Sequence, residues 1–297
     1  MSGLTSIDIP VIEQPRLSAR EFDQIRKLAY EHFGLELRDG KEQLVSARLA
    51  KLLRELKLKS FQQYYDYLLA DRSGEALTAM IDALTTNHTS FFREPDHFDF
   101  LRSTILPQIS NRIQVDIWSA ACSTGEEPYS IAFSLMRHFE QQRERRSIRI
   151  LATDISTRVL ATARRAAYPE ERFSNFPLES LRPFLLRGVA NWNGWYRIKP
   201  QVRDQVEFRR LNLMENFSHI GSFPVIFCRN VMIYFDKATQ ESLVNRLADR
   251  LEPGGYLLIG HSESLNRINH GLRYIQPAIY QKPGGGSPIS QRGYSAK

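Results

Sequence analysis

Two adjacent carboxylates, Glu126 and Glu127, follow a lone glycine in the stretch SAACSTGEEPYS, residues 119–130. The apolar run VDIW precedes this stretch and IAFSLMRHF follows it, so it reads as a loop between a strand and a helix. In doubly wound sheets such loops lie at the ligand crevice. Where the ligand carries phosphate, bare backbone N–H groups and the positive helix end receive it. Here the two acids at the helix start satisfy that end themselves and repel a phosphate. Thr124 and Glu127 also have capping-box spacing, with Pro128 close behind. A ligand with positive charge and no phosphate suits this loop; ordinary capping acids explain the pair equally well.

Two further stretches bear on that choice. The run ILATD ends in Asp154, and an acid at a strand end can accept both ribose hydroxyls of an adenosine, although a helix cap is the alternative. LEPGGYLLIG, residues 251–260, reads as a helix end, a Pro-Gly-Gly turn and a buried strand, similar to the late helix-to-strand turn of class I methyltransferases. In this order the three point to S-adenosylmethionine, which has an ammonium, a sulfonium and an adenosine but no phosphate. Cys122 and Cys228 give neither a disulfide framework nor a zinc spacing, and they read as reduced, small fillers. His88, His97 and His261 form no metal spacing, so no metal is expected.

The elements that must position these residues fall into two groups. Residues 18–86 read as helix after helix. Ser18 with Glu21 makes a capping box, and that helix stops at Gly34. The next helix, roughly 39–57, has Leu44, Val45, Leu49, Leu52, Leu53 and Leu56 on one stripe. SFQQYYDYLLAD and GEALTAMIDALTT supply two more. Beyond residue 86, strand-like runs at 115–120, 148–153, 206–213, 224–229 and 256–261 alternate with helical runs near 128–145, 157–166 and 238–251. That alternation predicts an α/β domain with a mostly parallel sheet. The stretch 168–205 interrupts it with prolines and NWNGWYRIK and is read as a small inserted subdomain, a helix and a hairpin. The expected organisation is an extension (1–17), a helical domain (18–86), an α/β domain (87–283) and a disordered Gly/Pro/Ser-rich tail (284–297).

Bulk properties exclude several classes. In the 297-residue chain, 42% hydrophobic and 25% charged residues are ordinary for a water-soluble globular protein. No run of about 18 apolar residues indicates a membrane span, and the N-terminus lacks the pattern of a signal peptide. A cytoplasmic protein is expected. The net charge of +7 invites an anionic partner. Between 41 and 59, six basic residues (Lys41, Arg48, Lys51, Arg54, Lys57 and Lys59) face only Glu42 and Glu55, which makes a local patch.

NHTSFFREPDHF (87–98), WSAACSTGEEPYSIA (118–132), ATDIS (152–156), FCRNVMIYFD (227–236) and GHSES (260–264) closely resemble motifs of the chemotaxis receptor methyltransferases, the family called CheR. The resemblance runs over about residues 20–282. It implies an all-α N-terminal domain before a class I, Rossmann-like methyltransferase domain with an inserted β-subdomain. It also implies S-adenosylmethionine-dependent methylation of glutamates on the cytoplasmic helices of chemoreceptors. By motif, Asn87, Thr89 and Arg93 border the cofactor, Glu127 meets its ammonium, Asp154 its ribose, and Asn212 and Leu213 its adenine region. Arg229 and Asn230 line the same site, and Tyr234 lies near the transferred methyl. Arg93 and Tyr234 are the candidate catalytic residues. Lys41, Arg48, Lys51 and Arg54 are candidates for docking glutamate-rich receptor helices. In some family members the inserted subdomain grips a receptor's C-terminal peptide as an added strand; here Ala190 in RGVANWNGWYRI stands where another glycine is expected. Nucleic acid is not an expected partner, since RNVMIYF replaces the base-methylation signature after the fourth strand. A monomer is expected. The alternatives are a silent S-adenosylmethionine-binding module and a methyltransferase for another acidic substrate.

Overall fold

The computed structural model describes residues 15–86, 88–143, 146–174 and 176–284. The expected extension lies largely, and the tail almost wholly, outside these residues, as does Asn87. The chain divides into two compact units, Met1–Thr86 and Asn87–Lys297.

The first unit contains α1 (Ala19–Phe33), α2 (Glu42–Glu55), α3 (Phe61–Ala70) and α4 (Glu75–Leu84). Helix α1 begins with the expected capping box: the Glu21 carboxylate accepts the Ser18 N–H at 2.8 Å, and Ser18 Oγ accepts the Glu21 N–H at 3.3 Å. It ends where Gly34 turns left-handed, at φ 67°. Phe22, Ile25, Ala29 and Phe33 form its buried face. In α2 the buried set is Val45, Leu49, Ala50 and Leu53; Leu44 and Leu56, expected on the same stripe, are 46% and 38% exposed. The apolar arc is therefore narrower than the run of leucines suggests. A buried Leu or Phe on these faces contributes up to about 2–3 kcal/mol.

The second unit opens with α5 (Pro95–Phe100), a wide π turn over Leu101–Ile105 and α6 (Leu106–Ile109). Then come β1 (Gln114–Ala120), α7 (Glu126–Gln141), β2 (Ser147–Asp154), α8 (Thr157–Arg165), β3 (Ala167–Pro169), β4 (Leu185–Arg187), β5 (Trp195–Ile198), α9 (Pro200–Arg203), β6 (Val206–Arg210), β7 (Phe223–Cys228), α10 (Lys237–Asp249), β8 (Leu251–Leu258), β9 (Arg273–Gln276) and β10 (Ile279–Gln281). Seven strands form one sheet in the order β6-β2-β1-β7-β8-β10-β9. Its first five are parallel, and β10 is antiparallel to both neighbours. Both faces are covered: Ile117, Ile150 and Val225 pack into one apolar cluster with α7, while Trp118, Ile226 and Leu257 pack into another with α10. Strands buried on both faces read as unbroken apolar runs, which is why β1, β2 and β7 stand out in the sequence. The second unit is thus a mostly parallel α/β sheet covered on both faces, and it follows an all-α unit in the chain.

Three details differ from the sequence reading. The Glu-Pro-Gly-Gly stretch is no turn before a strand; it is the irregular start of β8, where the register with β7 slips between Phe223 and Val225. The β9–β10 hairpin is additional. The inserted stretch holds the expected hairpin, β4–β5, and a helical segment over Leu178–Phe184, but β3 adds a third strand to make the antiparallel sheet β3-β5-β4. It is tied to the body through Phe91, whose ring stacks on Phe173 at 4.2 Å and meets Tyr168 edge-on at 5.0 Å.

Candidate functional site

Strands β1 and β7 are neighbours, with Ala120 registered on Cys228, while β2 lies on the other side of β1. The chain thus leaves β1 at the point where strand order reverses, and in such sheets the ligand crevice lies there, here beside the loops after β1 and β7. The loop after β1 takes positive φ at Ala121 (65°), Ser123 (50°) and Gly125 (98°). Left-handed backbone at the two non-glycine positions costs about 1–2 kcal/mol each, so something must hold it. Cys122 N–H donates to the Thr153 carbonyl at 2.8 Å, and Ser123 N–H to Asp154 Oδ2 at 2.8 Å. Asp154 Oδ1 accepts the Ser156 N–H at 3.0 Å, while Ser156 itself caps α8. The half-buried Asp154 therefore pins the loop from the end of β2.

The expected capping box of Thr124 and Glu127 does not form. Gly125 is the N-cap of α7 without a side-chain cap, and Thr124 Oγ1 donates to Glu126 at 2.6 Å. Glu127 is drawn elsewhere. Its Oε1 accepts Ser119 Oγ–H at 2.7 Å, and its Oε2 pairs with Arg229 Nη1 at 2.9 Å. The other arm of Arg229 bonds Glu94 Oε2 at 3.0 Å and the Arg93 carbonyl. Glu94 Oε1 in turn accepts Asn230 Nδ2–H at 3.2 Å. The Arg229, Glu127 and Glu94 side chains are 2%, 12% and 13% exposed. One guanidinium thus faces two carboxylates in a nearly dry pocket.

The balance of charge shows in the acids. Burial pushes the Glu127 carboxyl up from its ordinary range, against the pull of Arg229 and Ser119. Burial does the same to the fully buried Glu126, whose Oε1 has no hydrogen-bond partner and lies 3.4 Å from Arg172. Burial raises Glu94 too, but Arg229 and Asn230 outweigh it and hold this carboxyl below the usual range. A pocket of undercompensated acids fits a cationic ligand and opposes a phosphate.

The other expected residues distribute around this network. Thr89 is buried, and its carbonyl accepts Arg172 Nη1–H at 2.8 Å. Arg93 lends its carbonyl to Arg229, while its half-buried guanidinium donates to the His88 carbonyl at 2.9 Å. The loop after β6 is bonded to the end of β2 by Leu211 N–H to the Asp154 carbonyl, 3.0 Å. Asn212 Oδ1 closes that loop on Met214 N–H at 2.9 Å, and Leu213 is buried beneath it. Arg246 of α10 clamps it from below through the carbonyls of Leu213 and Glu215, each at 2.8 Å. Asn230, at φ 58°, and the half-buried Tyr234 stand on the loop after β7. Arg93, Glu127, Arg229 and Asn230 thus come together directly; Asp154, Asn212 and Leu213 join through the loops of β1 and β6.

Sequence reasoning singled out neither Ser119 nor Glu94 as a site residue. Both lie in motifs it quoted, but only the tertiary pairing gives them a role. Glu94 also brings His97 and His261 within 4.8 Å of its oxygen, a cluster absent from the histidine spacing. Burial, reinforced by Arg229, pushes the His97 imidazole down to about 3, so it is neutral, and Arg229 already supplies the cation at Glu94.

In the first unit, Lys41 at the N-cap of α2 and Lys51 and Arg54 within it are exposed. Arg48 is turned inward, donating to the Leu84 carbonyl and to Thr86 Oγ1 at 3.2 Å, so it closes the end of α4.

Comparison with known proteins places this geometry. A family model described as the SAM binding domain of CheR methyltransferase matches residues 87–280, and one described as its all-alpha domain matches residues 20–85. A chemotaxis protein methyltransferase of Borreliella burgdorferi is 42% identical, over 88% of this chain and 94% of that protein. Chemotaxis protein methyltransferase 2 of Pseudomonas aeruginosa is 40% identical over 93% and 98%, and the Escherichia coli chemotaxis protein methyltransferase 37% over 94% and 96%. With a cation-accepting pocket at the switch point and both family domains matched in order, the chain belongs to the CheR family and is an S-adenosylmethionine-dependent methyltransferase.

Proposed function

We propose that this enzyme methylates glutamate side chains on the cytoplasmic helices of chemoreceptors, forming glutamyl methyl esters in chemosensory adaptation. The observation that carries the reading is the composition of the pocket: acids around one guanidinium, with the neighbouring imidazole of His97 fully buried and neutral rather than offered as a base. An acceptor with no proton to lose suits such a site. A glutamate carboxyl, with an ordinary pKa of about 4.3, is already ionised at neutral pH. When bound, S-adenosylmethionine supplies an electrophilic methyl on a cationic sulfur. Glu127 holds the ammonium and Asp154 the ribose, with Asn212 and Leu213 against the adenine and Thr89 bordering the site. Arg93 orients the acceptor carboxylate, and Tyr234 shields the approach from water, so that positioning and desolvation carry the rate.

The names of the relatives support the pathway. For docking, Lys41, Lys51 and Arg54 with the exposed Leu44 offer a basic face to glutamate-rich helices. The edge strand β4 of the inserted sheet offers its backbone to a receptor C-terminal peptide. The enzyme acts in the cytoplasm as a monomer.

The test uses methyl-labelled S-adenosylmethionine and cytoplasmic fragments of several chemoreceptors. Label on a fragment, released as methanol by mild base and lost in Arg93→Ala, is the expected result. Measurable cofactor binding with no fragment labelled would end the receptor reading.

A further inference from the structure

The turn after β8 carries a carboxylate that the site described so far does not use. Glu263 Oε2 accepts the backbone N–H of Asn230 at 2.9 Å and of Gly260 at 2.5 Å, and its Oε1 accepts that of Met232 at 2.7 Å. Two of these donors, Asn230 and Met232, lie in the loop after β7 between Arg229 and Tyr234, and the third, Gly260, lies in the turn after β8. A carboxylate has acceptor sites for all three; an amide has a single accepting oxygen and would set its NH2 against N–H groups. Asn230 has a left-handed backbone, which asparagine tolerates better than most residues, and the bond from its N–H to Glu263 fixes it there. Gly260 permits the approach: a Cβ there would lie 2.3 Å from Asn230 Nδ2 and 2.9 Å from Asn230 N.

We propose that Glu263 is a positioning residue for methyl transfer, fixing through backbone N–H groups the turn that aims Asn230 and Tyr234 into the crevice. It acts through that turn rather than on cofactor or substrate, and the inference rests on Asn230 and Tyr234 being site residues. Gly260 belongs to the same device, since it lets the two loops meet.

The test compares full-length wild type with Glu263→Gln, Gly260→Ala and a control of similar thermal stability, Phe139→Leu, at the buried end of α7. S-adenosylhomocysteine affinity is read by calorimetry, and kcat and the KM for a receptor fragment by methyl transfer. Both loop variants are expected to lose tenfold or more in kcat and several-fold in S-adenosylhomocysteine affinity, with the receptor KM unchanged. The control should keep wild-type kcat. A folded Glu263→Gln with wild-type kcat and affinity overturns the proposal, as does an equal kcat loss in the control. If Glu263→Gln does not fold, Glu263→Asp takes its place, keeping both oxygens but shortening their reach. Wild type that fails to bind S-adenosylhomocysteine would instead sink the cofactor-site reading beneath it.

Discussion

At the scale of single residues, Arg229 is the hinge of the site because it answers two carboxylates at once. Removing that guanidinium would leave both acids uncompensated, typically at a cost of about 3–5 kcal/mol. Glu127 has the opposite deficit, too little positive charge around it. Glu127→Gln keeps its shape and its bond with Ser119, so it should fold, yet lose S-adenosylhomocysteine affinity about 10–100-fold, the worth of one charge-assisted hydrogen bond. Titration calorimetry reads this directly, and unchanged affinity would remove Glu127 from the cofactor's ammonium. The same acid sets a pH dependence. Folding raises the carboxyls of Glu127 and Glu126 above the ordinary glutamate range, so the stability they contribute is present below that range and lost as pH rises through the folded values. An ammonium placed beside it pulls Glu127 back down, so the thermal stabilisation by S-adenosylhomocysteine should grow as pH rises from the ordinary glutamate range toward neutrality. A shift that is equal at both ends would contradict it. Glu127 and Arg229 were legible because their local motifs mark them. Glu94 was not, since the pairing that explains it spans 135 residues.

Elements were legible in proportion to how local their causes are. The Ser18–Glu21 box and the stop at Gly34 need only a few neighbouring residues, and the buried parallel strands announce themselves as apolar runs. The β9–β10 hairpin has neither advantage. Its strands are short, and its turn passes through Ala278 at φ 63°, where a glycine or asparagine would have flagged it. Ala190 in the inserted sheet poses the same problem at φ 51°, while a Cβ on nearby Gly188 would come within 2.1 Å of the Trp192 carbonyl oxygen. Opposite effects are expected. Ala190→Gly relieves left-handed strain of about 1–2 kcal/mol against a smaller gain in unfolded-chain freedom, so it should leave stability equal or up to about 1 kcal/mol higher. Gly188→Ala should destabilise by about 1–3 kcal/mol, as overpacking does, and change the emission of the exposed Trp192. Denaturant unfolding of the two variants decides it; a harmless Gly188→Ala would mean that the loop yields freely.

Across the whole molecule the net charge of +7 announced an anionic partner but could not name one. Its placement on α2 is more informative, with Lys41 and Lys51 exposed and Arg48 committed to the end of α4. Lys41→Glu with Lys51→Glu should raise the KM for a receptor fragment at least tenfold and flatten its dependence on salt, with S-adenosylhomocysteine affinity unchanged. An unaltered KM would move receptor docking off this helix. The three ions of the pocket carry one more consequence, in time rather than energy. Glu127 and Arg229 lie 102 residues apart, so at ribosomal speeds of about 5–20 residues per second they emerge about 5–20 s apart. Throughout that interval the growing chain holds Glu94 and Glu127 with no guanidinium between them. The set of ions that shapes the pocket can therefore be completed only in a chain already translated past β7.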